Sequence, residues 1–311
     1  MIEMLSSPLM QRALIVAVLV GLAAPIVGTY LVQRGMALMG DGIGHISLTG
    51  VALGWLAAGA LGLSPNDVLA IPGAIVASLI GAILIEVVRS HGRTGGDVAL
   101  AMLFYGGIAG GVLLIRIAGG TTTNLTSYLF GSIATVSVSD VRYTIALAAV
   151  ILVIGWGLRG PLFALSHDEE FARACGLPVR ALNILVAVVA ALTVSVSMRV
   201  VGVLLVSAIM IVPVAVAQLL SSSFTRTMYI AQTIGVVACL TGLIITYHVP
   251  ASPGATIVVL LISLYSVVAV TNLTIEGVRR RRQAAAAAHE PCRRDQLTVG
   301  VPAAAERSSR G

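Results

Sequence analysis

Asp41 and His45 stand four residues apart in the stretch Gly40-Asp-Gly-Ile-Gly-His-Ile-Ser-Leu-Thr-Gly-Val-Ala-Leu-Gly54, where an otherwise apolar run sets a carboxylate beside an imidazole. If the segment is helical from its start, the two side chains lie one turn apart on the same face. An oxygen ligand with a neutral imidazole suits Mn²⁺, Fe²⁺ or Zn²⁺, whereas Ca²⁺ and Mg²⁺ ask for more oxygens. Two ligands are too few for a closed structural site, which fits an ion that has to leave again. The spacing fits equally well a carboxylate at a membrane boundary beside a histidine that bonds a neighbouring helix.

The chain around this pair is built for lipid. Of its 311 residues 58% are hydrophobic and only 10% charged, too little polar surface for a soluble fold of this size. Nine runs of about 20 apolar residues could each cross a hydrocarbon layer of ~30 Å. They are 13–32, 43–63, 68–88, 98–117, 141–158, 181–198, 200–220, 229–247 and 254–273. Each is expected to be helical, because backbone groups in lipid must bond internally. Run 200–220 follows its predecessor almost without a loop and contains Pro213, so a broken or re-entrant helix there would reduce the crossings to eight. The expected architecture is an all-α polytopic membrane protein, with a permease domain over 1–276 and a basic, then disordered tail over 277–311. The first run reads as an anchor helix and not as a cleaved signal.

Arginine sets the orientation. The joints 89–93, 159–180 and 221–226 and the tail are basic, alternate joints place all four on one side, and that side is expected to be cytoplasmic. The net charge of +6 owes much to Arg279 to Arg282, Arg293 and Arg294 in the tail, which suit an anionic leaflet better than nucleic acid because no aromatic residues are interleaved. All nineteen basic residues are arginine. Without lysine there is no standard P-loop and no Schiff-base chemistry, so the chain is expected to be no enzyme, and any ATP driving transport would be hydrolysed by another subunit. Cys175, Cys239 and Cys292 are widely spaced and no disulfide is expected. Gly50-x-x-x-Gly54, Gly106-x-x-x-Gly110 and Gly107-x-x-x-Gly111 read as close helix packing within one subunit. The polar stretch 119–140 reads as an outside loop with a short interfacial helix.

The long basic joint carries Leu165-Ser-His-Asp-Glu-Glu-Phe-Ala-Arg-Ala-Cys-Gly-Leu-Pro178. Ser166 with Glu169 spells a capping box, Asp168 to Glu170 favour the positive end of a helix dipole, Gly176 suits a left-handed stop, and Pro178 forbids continuation. A helix of about nine residues is marginal alone. It either lies on its own bundle or is held by a partner, to which Phe171, Ala172 and Ala174 would offer an apolar side. In Val201-Gly-Val-Leu-Leu-Val-Ser-Ala-Ile-Met-Ile-Val-Pro213, Ser207 and Pro213 interrupt an apolar run and are candidate pathway-lining residues; a kink serving only packing is the alternative. His248, at the outer end of the eighth run, reads as facing water.

Three colinear segments resemble one family. The stretch from Gly40 resembles the "GDAISHAVLPGVALG" segment of the zinc, manganese and iron(chelate) permeases of ATP-binding-cassette importers, and residues 168–178 look like their coupling segment. Residues 200–217 with 248–258 look like their "GVLLVSALLIVPAA" and "PPGATIVL" segments. The similarity runs from about Met10 to Asn272. It implies a type II importer-like permease in the cell membrane with a cytoplasmic C-terminus, working as a homodimer with two cytoplasmic ATP-binding subunits and an extracytoplasmic metal-binding lipoprotein. It further implies no permanently bound cofactor, a divalent metal as cargo with zinc foremost and manganese or iron as alternatives, and Asp41 and His45 as the metal-contacting residues. Asp168, Glu169, Phe171, Ala172, Ala174 and Gly176 would couple to the ATPase. Gly42 and Gly44 replace the family's small residues and are expected to loosen the helix start by up to ~1 kcal/mol each. Pro250 and Pro253 are separated by Ala251 and Ser252, where the family has a tandem proline. Rival readings are a secondary transporter or channel, for which Glu86 is the clear candidate carboxylate, and a cobalamin or siderophore permease.

Overall fold

A computed structural model describes residues 7–63, 66–90, 96–119, 126, 128–131, 137–249 and 251–289; of residues 66–67, 90, 96–97, 199–200 and 278–289 it describes the backbone alone. The chain forms α1 (Pro8–Gln33), α2 (Met39–Ala60), α3 (Ala70–Ser90), α4 (Gly96–Ile117), α5 (Val138–Gly157), α6 (Arg159–His167), α7 (Glu169–Ala174), α8 (Val179–Val201), α9 (Val203–Leu220), α10 (Phe224–His248) and α11 (Pro253–His289). Among the described residues nine of these helices are long and apolar enough to cross a membrane; α6 and α7 are the short ones. The chain divides into two compact units, 1–265 and 266–311, and the candidate site described below lies in the first.

The run at 200–220 is one continuous helix from Val203, with Pro213 inside it. The break that the proline suggested lies instead at Gly202, whose φ of +91° is left-handed and lets α8 stop and α9 start within a single residue. Among the described residues nine candidate spans therefore stand where the sequence left eight or nine open. At the other end, α11 continues through the five alanines to His289, where the sequence predicts disorder after Gln283. Alanine and arginine are among the strongest helix formers, and that local preference carries the backbone onward. Cys292 and residues 290–311 lie outside the described residues, as does most of the interfacial helix expected within 119–140; the piece that is described there, 128–130, is helical.

Two groups of helices make the bundle. α1 packs on α5, α9 and α10, and α2 packs on α3 and α4, while α8 touches members of both. α1 and α8 are the most buried spans and α4 lies near the edge. Close approach depends on missing side chains. A Cβ on Gly28 would fall 1.7 Å from the Met210 carbonyl oxygen, and one on Gly50 would fall 2.4 Å from the Gly73 carbonyl oxygen. Gly50-x-x-x-Gly54 thus joins α2 to α3 within one subunit, as its spacing suggests.

Buried polar groups find one another across helices. The Tyr30 hydroxyl of α1 donates to the Gly155 carbonyl of α5 at 2.6 Å. Ser195 on α8 meets Ser47 of α2 at 3.3 Å and Ser78 of α3 at 2.5 Å. In lipid an unpaired hydroxyl costs more than in water, so these pairs fix the register of three helices.

Candidate functional site

Helix α2 begins at Met39, two residues ahead of Asp41, so Asp41 and His45 sit one turn apart on one face. Asp41 Oδ1 and His45 Nε2 are 3.8 Å apart, with 23% of the Asp41 side chain exposed and 6% of the His45 side chain. A transition ion about 2.1 Å from each atom would hold them roughly 3 to 4 Å apart, so the observed gap is one that a shared cation can span. His45 Nδ1 is buried with no hydrogen-bonding partner among the described residues. Such an orphan is costly unless a ligand or water relieves it. The imidazole meets Phe104 of α4 edge to face, ring centres 4.6 Å apart at 83°.

The glycines around the pair are spacers. A Cβ on Gly42 would come within 2.9 Å of the Leu100 side chain, and one on Gly44 within 2.7 Å of Val203. A Cβ on Gly107 would come within 2.7 Å of the His45 backbone. Both α2 glycines are buried inside an unbroken helix. The loosening expected from their low helix propensity is thus offset by the packing of α4 and α9 that they permit.

Ser207 is buried at the start of α9, and its hydroxyl lies 3.2 Å from Asp41 Oδ1 and 3.2 Å from the Leu204 carbonyl. One proposed pathway residue therefore joins the carboxylate directly. Pro213 is buried farther along the same helix. No group of three or more His, Cys, Asp or Glu suited to a metal occurs among the described residues. Among the described residues the cluster comprises a carboxylate, an imidazole and a hydroxyl.

The segment after α5 folds as two short helices with a corner at Asp168. Ser166 is not the cap: it lies inside α6 and its hydroxyl donates back to the Leu162 carbonyl at 2.7 Å. Asp168, in an extended conformation, accepts from the Glu170 and Phe171 amides at 2.9 and 3.0 Å, and α7 has six residues in place of the expected nine. An ionised carboxylate satisfies two orphan amides and the dipole together, which a serine hydroxyl does less well. Gly176, at φ +77°, ends the helix as its position suggests. The Leu177 amide reaches the Ala172 carbonyl and the Gly176 amide the Arg173 carbonyl, the paired bonds of a left-handed helix stop. Phe171 is 60% exposed and Ala174 is exposed, whereas Ala172 turns fully into the bundle instead of sharing their outer face.

The pairing of Glu169 with Arg34 and Arg89 escaped sequence reasoning. Glu169 faces inward to Arg34, just past α1, and to Arg89, near the end of α3. Glu86, the carboxylate singled out for coupling, pairs with Arg89. Burial first and Arg89 second pull the Arg34 guanidinium below its ordinary range, while Glu86 and Glu169 push it back. An arginine nevertheless stays charged in a protein. Arg34 was discoverable as the sole basic residue between the first two apolar runs; its partner was not. His248 ends α10 exposed, against Tyr247.

Residues 6–272 match the ABC 3 transport family. The chain is 31% identical over 284 residues to the chelated iron transport system membrane protein YfeD of Yersinia pestis, covering 91% of each. It is 34% identical to the manganese import system permease protein ScaB of Streptococcus parasanguinis, covering 80% of this chain and 85% of that one. Its fold is similar to that of PsaBC from Streptococcus pneumoniae in complex with Fab, with a TM-score of 0.74 and 34% identity over 86% of this chain and 93% of the other.

Proposed function

The chain belongs to the ABC 3 transport family, and from that premise we propose that it is the membrane permease subunit of an ATP-driven importer for a divalent first-row transition metal. The observation that carries the metal assignment is the facing of Asp41 and His45 at 3.8 Å, with Ser207 on the carboxylate. A carboxylate, an imidazole and a hydroxyl without thiolate are acceptable to Mn²⁺ and Fe²⁺, and the names of the relatives point to manganese and chelated iron, so these lead over zinc. A single chain leaves the ligand set short. Two copies related by a two-fold axis would double it to two carboxylates and two imidazoles.

The remaining parts follow from what the chain lacks and presents. It has no lysine and hence no P-loop, so ATP binding falls to partner subunits on the side of α7, the basic and therefore cytoplasmic side. Phe171 and Ala174, on the outer side of α7, are the apolar contact offered to them. An extracytoplasmic binding protein would deliver the ion.

The test is uptake into proteoliposomes holding the permease with its ATP-binding subunits, supplied with loaded binding protein and radioactive Mn²⁺. Accumulation should need ATP and should be lost in H45A. Equal accumulation by the permease alone, without nucleotide, would favour a secondary transporter and end this reading.

A further inference from the structure

Glu169 does more than decorate the short helix α7. Its Oε2 lies 3.6 Å from Arg34 Nη2 and 3.8 Å from Arg89 Nη2, while its Oε1 lies 3.3 Å from Arg173 Nη2 on its own helix. Arg89 Nη1 in turn lies 3.8 Å from Glu86 Oε2. The three arginines are not equivalent. Arg173 is 69% exposed and one turn away on α7, so its pair with Glu169 contributes little. The Arg34 side chain is 3% exposed, and neither terminal nitrogen has a hydrogen-bonding partner among the described residues. A permanently charged group so far from water holds on to its carboxylates.

The other end of Arg34 is stiff. α1 stops with Gly35 at φ +67°, the Met36 amide on the Leu31 carbonyl at 2.8 Å and the Gly35 amide on the Val32 carbonyl at 3.1 Å. The Met39 amide then bonds the Met36 carbonyl at 3.0 Å, and α2 begins with Asp41 in its first turn. With these amides committed, the chain between Arg34 and Asp41 has few soft torsions left to absorb a displacement.

We infer that Glu169 is a positioning residue: through Arg34 it ties α7 to the α1–α2 joint, so that movement of α7 shifts Asp41 and His45. A push on Phe171 would then reach the metal pair by a route of one ion pair and one stiff turn. The inference rests on the importer reading, since it needs a partner that moves α7.

The experiment uses the complete complex in proteoliposomes, wild type and three variants, and reads ions transported per ATP hydrolysed alongside the half-saturating Mn²⁺ concentration. In E169Q the ions transported per ATP hydrolysed should fall about tenfold, the scale of a coupling free energy between two sites. E169D keeps the charge, and with it the fold, but withdraws the carboxylate by one methylene; its ratio should lie between the two. R173A should match wild type. The inference is overturned if E169Q and E169D lose hydrolysis and transport in proportion, as for a residue that only holds the fold, or if both keep the wild-type ratio. ATP-independent uptake by the wild-type complex would mark a different failure, that of the importer reading, and would take the inference with it.

Discussion

The Ser207 hydroxyl on α9 lies 3.2 Å from Oδ1 of Asp41 on α2, a contact between residues 166 positions apart. It donates to the same carboxylate oxygen that lies 3.8 Å from His45 Nε2. A hydroxyl in this place orients the carboxylate without adding charge. Ligand-orienting contacts of this kind are often worth as much as a weak ligand.

Losing either member of the metal pair should abolish function without unfolding the bundle. D41N and H45A should cut ATP-driven Mn²⁺ uptake by roughly a hundredfold or more, since each removes one of the two strong ligands that one chain offers the ion. Subunit association should persist in a pull-down. Wild-type uptake by H45A would remove the assignment.

Ser207→Ala should act on affinity. The half-saturating Mn²⁺ concentration should rise roughly tenfold, the scale for losing a contact that orients a ligand, while uptake at saturating metal stays near wild type. A concentration series of uptake separates the two quantities, and an unchanged midpoint would mean that Ser207 serves packing.

Adjacent glycines on α4 offer an internal control. A Cβ on Gly107 would press on the His45 backbone, whereas one on Gly106 meets nothing within 4 Å. G107A should cost about 1–3 kcal/mol through overpacking. G106A should be neutral or gain up to ~1 kcal/mol from helix propensity. Thermal unfolding of the purified protein in detergent measures both, and equal midpoints for the two variants would contradict the packing described.

At the corner of α6 and α7 the two candidate caps can be told apart. Asp168→Ala should weaken α7 by about 1 kcal/mol and reduce association with the ATP-binding subunits. Ser166→Ala should change association little, because the Ser166 hydroxyl already returns to the Leu162 carbonyl within α6. A binding titration in which S166A is the weaker of the two would restore Ser166 as the cap.

Much of the architecture was legible from residue order. Apolar runs of spanning length located the nine long helices, the four-residue spacing put Asp41 and His45 on one face, and Gly176 with Pro178 marked where α7 ends. Where the reading went astray, two local signals competed. Ser166 and Asp168 are both good caps, and Gly202 and Pro213 are both helix breakers; in each case the winner was the residue better placed to satisfy or release backbone bonds. The alanine-rich stretch before His289 likewise has the composition of a linker and the propensity of a helix.

By itself the sequence determined where the apolar runs lie, that no lysine is present for a standard P-loop, and which two residues could share an ion; it left the crossings at eight or nine. These follow from hydropathy, residue type and helical period, which act over a few neighbours in the chain. Only the tertiary structure decided that Ser207 backs Asp41, that Gly107 seats His45, and that Arg34 is held by Glu169. Those pairings join residues far apart in sequence, and they exist only where helices approach closely enough for a missing Cβ or a buried charge to matter.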